Sequence, residues 1–358
     1  MQELLGLTRE LIRFRSVHAE PAEITRCADF VQAFLSAHGI GFRRFEVAGV
    51  PSILVMPQGD YAPVLLMAHI DVVDGPEAIF EPREKDGRLY GRGSVDDKYA
   101  VALALVLLRR QLERLRAAGR DQSDLSFGVL ITGDEEIGGA NGAGHVLAKI
   151  KTDFGIALDG GGLDKIVVKE KGLLRLRLVA RGRAAHGSRP WLGENAIENL
   201  MADHDRLKLF FQVSAPEHWH RTLNLGVISG GRAVNQVPDR AEALLDIRFT
   251  EEDDVDRLLA EMAAAVRGEL VVERRDPLFL GGRSPYLETL LRLSPGTRIG
   301  AEHGASDARY LSARGIPGIV WGADGDRSQH ADDEHVEIRS VQRLFAVLDD
   351  FLKEVKTF

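Results

Sequence analysis

Three short, almost wholly apolar segments constrain this chain most: residues 62–70 (APVLLMAHI), 125–132 (LSFGVLIT) and 153–159 (DFGIALD). A strand wetted on one face alternates apolar and polar residues, whereas an unbroken apolar run belongs to a strand covered on both faces. Residues 98–116 (KYAVALALVLLRRQLERLR) have helical length and spacing. So do residues 2–14 and 22–38, with Pro21 where a first turn tolerates proline. Residues 50–56 read as a further strand. Strand and helix in alternation predict an α/β fold, with a mostly parallel sheet flanked by helices.

The pattern changes near residue 173. Residues 173–180 (LLRLRLVA) alternate, which predicts one wet face. Then follow helix-like 193–212, strand-like 222–228 and 241–249, helix-like 251–267, and the strand VVERR at 271–275. This β-α-β-β-α-β series predicts a small α+β, ferredoxin-like domain inserted into the larger one. The α/β pattern resumes near 281, with a strand at 315–322 and a helix at 338–355. The expected division is 1–172 with 281–358, interrupted by 173–280. A chain of 358 residues has room for both.

Composition closes some doors. Acids outnumber bases 54 to 46, for a net charge of −8, which argues against nucleic acid as a partner. Cys27 is the only cysteine, so neither an internal disulfide nor a thiolate zinc cage can form. Any metal must be held by histidine and carboxylate. The N-terminus lacks a secretory pattern, and no stretch approaches the ~20 apolar residues of a membrane helix. The expected location is the cytoplasm, with no membrane partner.

Polar residues gather where the buried strands end, which is where α/β sheets place their sites. His69 and Asp71 are two apart and point the same way, so the carboxylate can take the imidazole's outer proton and free the other nitrogen for a metal. A plain strand cap would look the same. Gly91, Gly93 and Ser94 precede Asp96 and Asp97 at a helix start, where helix capping is an equal explanation. Asp134, Glu135 and Glu136 stand in a row after a buried strand, and a cation would relieve their mutual repulsion. One could then ligate while its neighbour serves as a base. Asp159 ends another strand, and His330 and His335 lie in a late loop. Singly these are ordinary residues. Together, two histidines and three carboxylates suit divalent ions with open coordination positions.

These motifs, in this order and spacing, resemble the dinuclear zinc amidohydrolases that include acetylornithine deacetylase, succinyl-diaminopimelate desuccinylase, carboxypeptidase G and several dipeptidases. The resemblance runs through His69-x-Asp71, GRGSVDDK at 91–98, Asp134-Glu135-Glu136, Asp159, AHGSRP at 185–190 and His330. It implies a zinc exopeptidase-like fold and two Zn²⁺ per chain, for which Co²⁺ or Mn²⁺ can substitute. Asp96 would bridge the ions, His69 and Asp159 would complete one, and Glu136 and His330 the other. Asp71 would orient His69, Glu135 would be the general base, and the Asp96–Asp97 peptide would be cis. His186 would donate to the oxyanion, and in relatives that histidine comes from a neighbouring subunit. The inserted segment would thus be a lid and dimerisation domain of a homodimer. GGRAVNQVPD (230–239) and ALLDIRF (243–249) match segments that hold a substrate carboxylate, with Asn235 and Arg248 as the candidates; a pairing of Arg248 with Asp246 or Glu251 is the alternative. SDARYL (306–311) matches a site wall, with helix capping by Ser306 and Asp307 as the alternative. The implied activity is hydrolysis of an amide bond in an N-acyl amino acid or a di- or tripeptide. Aspartate at 159, where deacylases usually carry glutamate, tilts towards peptides. ADDEHV after His330 departs from the usual proline-containing stretch and reads as loop drift. The competing readings are a catalytically silent metal-binding or regulatory homologue, and a metal-free α/β binding protein.

Overall fold

The computed structural model describes residues 1–160, 162–211, 215 and 218–355. The chain forms two compact units: Met1–Lys169 with Phe279–Glu302 and Ser306–Phe358, and Glu170–Leu278 with His303–Ala305.

The first unit is built on a mixed sheet. Its order is Arg43–Val47, Val50–Val55, Phe127–Thr132, Tyr61–His69, Lys151–Ala157, Gly318–Val320, Lys165–Glu170, Phe279–Leu280, with Arg298–Glu302 also paired to Lys165–Glu170. The middle four strands run parallel. They contain the apolar runs read as doubly covered, and Leu65, Leu66, Phe127, Val129, Phe154 and Ile156 are all fully buried. The margins are antiparallel. The marginal strands Arg43–Val47 and Lys165–Glu170 were not predicted, because short charged sequences such as RRFEV carry no buried-strand pattern.

Helices Gln2–Ile12, Pro21–Ala37, Lys98–Ala117 and Ile338–Glu354 fall within a few residues of expectation and pack into one core. In Lys98–Ala117 every residue from Lys98 to Leu108 is buried, so this half of the helix is enclosed rather than amphipathic. Helix Pro285–Leu293 was not foreseen, although it has a legible start. Ser284 Oγ accepts from Tyr286 N at 3.2 Å, and Pro285 occupies the first turn.

The second unit is a four-stranded antiparallel sheet in the order Thr222–Gly230, Arg240–Phe249, Gly172–Arg181, Glu269–Asp276. With helices Ala196–Lys208 and Val255–Ala265 this is a ferredoxin-like β-α-β-β-α-β arrangement. Leu174, Leu176 and Leu178 join Leu200, Leu207, Leu258 and Met262 in its core, while Arg175 and Arg177 alternate outside it. The first helix starts at Ala196 rather than 193 because Asn195 caps it, accepting from Ile197 N at 3.0 Å and Glu198 N at 3.4 Å. Its expected end at residue 212 lies outside the described residues. Among the described residues, no helix is long and apolar enough to cross a membrane.

Candidate metal centre

Three adjacent parallel strands end along one edge of the first unit's sheet. Register places His69 beside Thr132 and Met67 beside Ala157. The chain leaves these ends carrying His69, then Glu135 and Glu136, then Asp159. Asp96 comes from the turn before helix Lys98–Ala117, across a cis Asp96–Asp97 peptide. Gly93 makes that turn possible: its φ is +83°, and a Cβ there would lie 2.8 Å from Lys98 Cδ.

His69 Nδ1 donates to the main-chain oxygen of Asp71 at 2.9 Å. In the neutral ring this leaves the lone pair on Nε2, which lies 3.0 Å from Asp96 Oδ1 and 4.0 Å from Asp159 Oδ1. The other Asp96 oxygen lies 3.2 Å from His330 Nε2, which is also 3.2 Å from Glu136 Oε2. Two trios result, His69–Asp96–Asp159 and Asp96–Glu136–His330, each with its ligand atoms within 4.8 Å of one another. Asp96 belongs to both and gives one oxygen to each. The structure thus brings together the five side chains scattered from 69 to 330.

The donor set fits divalent cations. Among the described residues, Glu136 Oε1 is buried without a hydrogen-bond partner. Burial, opposed by the His330 hydrogen bond and reinforced by Asp96, raises the Glu136 carboxyl above the usual range. Hydrogen bonds to Asp96 and Glu136 push the His330 imidazole up to about 10. His69 is buried, which opposes protonation, yet its contacts with Asp71 and Asp96 still raise it well above an ordinary histidine. A pocket that drags protons onto its histidines holds the negative potential that a dication would neutralise instead.

Asp71 does something the sequence did not show. Its carboxylate lies 3.5 Å from His69 Nδ1, farther than its own carbonyl. It accepts from Glu135 N at 3.1 Å and Glu136 N at 3.0 Å. The carboxylate thus stays within ion-pair distance of His69 while it also fixes the two glutamates, and the Asp71 main chain supplies the shorter contact to Nδ1. Glu135 lines a cavity of about 10 Å³, the size of one water, with His69, Thr132, Asp159 and Asp307. Burial, with Asp159 and Asp307 nearby, raises its carboxyl well above the usual range. Asp307 is 5 % exposed and accepts from Thr132 Oγ1 at 3.3 Å. The match of residues 306–311 to a site wall was the one signal that pointed to it.

Residues 65–354 match Peptidase family M20/M25/M40. The chain belongs to that family. It is 30% identical to the succinyl-diaminopimelate desuccinylase of Methylorubrum populi, over 97% of this chain and 96% of that protein. An M20 family metallo-carboxypeptidase from Sulfolobus solfataricus superposes with a TM-score of 0.80 at 20% identity, covering 99% of each chain. A dinuclear metal binding peptidase of the family from Bacillus subtilis superposes with a TM-score of 0.63 at 14% identity, covering 100% of this chain and 99% of that one. Membership makes the chain a hydrolase of the metallopeptidase class.

The remaining expected residues lie in the second unit. His186 is exposed and forms a bridge with Gln236, and Gly187 N donates to Asn235 O at 2.6 Å. His186 and Asn235 are thus on neighbouring loops. Ser188 N donates to His186 Nδ1 at 3.1 Å. An amide can only donate, so the neutral ring carries its proton on Nε2, pointing away as a donor. Arg248 is held by Asp246, with Nε to Oδ1 at 2.8 Å and Nη2 to Oδ2 at 3.2 Å. The structure does not bring it to Asn235. The strand Arg240–Phe249 separates them, about 26 Å from 240 to 248 at ~3.3 Å per residue.

Proposed function

We propose that this protein hydrolyses an amide bond in a small carboxylate-bearing substrate, an N-acyl amino acid or a di- or tripeptide, with two zinc ions per chain. The observation that supports this is the shared Asp96 between two ligand trios, beside the half-buried Glu135. His69, Asp96 and Asp159 would hold one ion, and Asp96, Glu136 and His330 the other. When bound, such ions supply Lewis acidity, polarising a carbonyl and acidifying a water.

Glu135 is the base. It lines the water-sized cavity, and burial keeps its proton affinity high enough to accept a proton from water and pass it to the leaving amine. Asp71 holds the Glu135 and Glu136 amides and so separates their tasks, one free and one ligating. His186, protonated at Nε2, is the oxyanion donor. Asn235 and Arg248 are the carboxylate-binding candidates. Arg248 would exchange its Asp246 partner for substrate, which a guanidinium fork does with little loss of geometry.

A twofold homodimer through the inserted unit reconciles the placement of Asn235 and Arg248 towards opposite ends of the strand Arg240–Phe249, since two copies can each offer one of them to a site. Its candidate surface is the edge strand Thr222–Gly230, where Val227 and Ile228 are more than half exposed, together with the first helix of that unit, where Met201 is exposed as well. The cytoplasm is the proposed location.

Glu135→Gln tests the chemistry. The variant should retain its metal and lose turnover by roughly 10²–10⁴-fold, the usual contribution of a general base. Turnover within tenfold of the parent would remove Glu135 from that role. A panel of dipeptides, tripeptides and N-acetyl and N-succinyl amino acids identifies the substrate class.

A further inference from the structure

Beneath the metal centre lies a buried ion pair that none of this chemistry uses. Arg92 and Glu334 stand 242 residues apart in sequence, are 1 % and 0 % exposed, and pair through Nη1 and Oε2. Each also grips the main chain of a residue in the Asp96–Glu136–His330 trio. Arg92 Nη2 donates to His330 O at 3.2 Å and to Asp74 O at 3.3 Å. Glu334 Oε1 accepts from Asp96 N and Val95 N, both at 3.3 Å. A backbone bond, Gly91 N to Glu334 O at 2.9 Å, lies beside them.

Stability alone does not account for this pair. Burying two charges costs several kcal/mol each, and their attraction roughly offsets that, so apolar residues of similar size would serve as well. What apolar residues cannot do is hold a carbonyl and an amide on two separate loops at once. His330 needs such a hold. Its φ is +65°, a left-handed conformation unfavourable for a non-glycine residue, and its side chain is half exposed. Little packing is left to fix the ring.

We infer that Arg92 and Glu334 are positioning residues that lock His330 and Asp96 into the geometry of the second cation site. The inference rests on the two-cation reading above. Hydrogen-bonded partners of ligands typically govern metal affinity by roughly 10–100-fold. The effect should be selective. The trio His69–Asp96–Asp159 shares only Asp96 with the pair, so its cation should be affected less.

The test is zinc titration of chelator-treated protein against a chromophoric competitor. His330→Ala identifies which binding phase belongs to the second site. In Glu334→Gln, and in Arg92→Lys, which keeps the charge and loses the fork, that phase should weaken about 10–100-fold while the other moves by less. Excess zinc should restore turnover, which it would not do for a generally damaged fold. If both variants fold and bind both equivalents within threefold of the parent, the inference is overturned. If only one variant folds, that one decides. If neither folds, the pair is a folding determinant and the positioning role is refuted. A parent protein with fewer than two phases refutes the two-cation reading itself, a different result from two parent phases that the variants leave unmoved.

Discussion

Asp71→Asn separates the structural account from the simpler one in which Asp71 serves His69. In the parent, the carboxylate accepts from the amides of Glu135 and Glu136 at 3.1 and 3.0 Å, each a bond to a charged acceptor. Such bonds contribute about 1.5–3 kcal/mol each. Asparagine keeps one acceptor oxygen and turns an NH₂ towards the second amide, so one bond is lost and two part-buried donors face each other. The net penalty is about 2–4 kcal/mol, reduced somewhat because an isosteric neutral group is easier to bury. His69 keeps its 2.9 Å bond to the Asp71 carbonyl, so its tautomer should persist. The loss should therefore fall on the Glu136 cation and on Glu135. Affinity for the second zinc should drop about 10–100-fold and turnover at saturating zinc by a similar factor, while the His69 cation is nearly unchanged. Competition against a chelator, with kcat measured at two zinc concentrations, reads both. A variant with parental zinc affinity and turnover would refute the role given to the Asp71 carboxylate, and selective loss of the His69 cation would return that role to the imidazole.

Further outcomes follow from individual side chains. His186→Ala should lower kcat on the order of 10²–10³-fold at unchanged zinc content, and an unchanged rate would show that it supplies no oxyanion donor. Asp307 is pushed up to about 6, chiefly by burial, so the folded state holds a proton that the unfolded chain releases near pH 4. Its contribution is greatest below that pH and is lost as pH rises towards 6. In urea titrations of metal-free protein, Asp307→Asn should therefore be more stable than the parent at pH 7.5, by at most ~3 kcal/mol, with the gap closing at pH 4.5. A gap that widens at low pH would contradict the assignment. Cys27 is fully buried, with its thiol pushed up to about 11 by burial, so thiol reagents should leave the native enzyme active. Inactivation by such a reagent without unfolding would reveal a role for Cys27.

Much of this was legible in the sequence, for identifiable reasons. Strands covered on both faces read as unbroken apolar runs, so the ends that carry His69, Glu135, Glu136 and Asp159 could be found without coordinates. The Leu174–Leu176–Leu178 alternation likewise exposed the inserted sheet. Local pattern could not reach interactions set by tertiary approach. The Asp71 carboxylate accepts from amides more than sixty residues away, with His69, two residues back, at a longer 3.5 Å. Arg92 and Glu334 meet across 242 residues, and Glu334 sits in the stretch read as loop drift. The drift hides the acid that holds the Asp96 amide. Arg248 could be read either as a substrate ligand or as the partner of Asp246, and only the side-chain geometry revealed the fork it makes with Asp246.

One carboxylate shared between two cation sites underlies the proposed chemistry. Metal analysis of exhaustively dialysed protein, run beside Asp96→Ala and His330→Ala, probes that most directly. The parent should hold two zinc ions per chain, His330→Ala one, and Asp96→Ala none at comparable free zinc. Asp96→Ala that still carries two ions, or a parent that carries none, would contradict it.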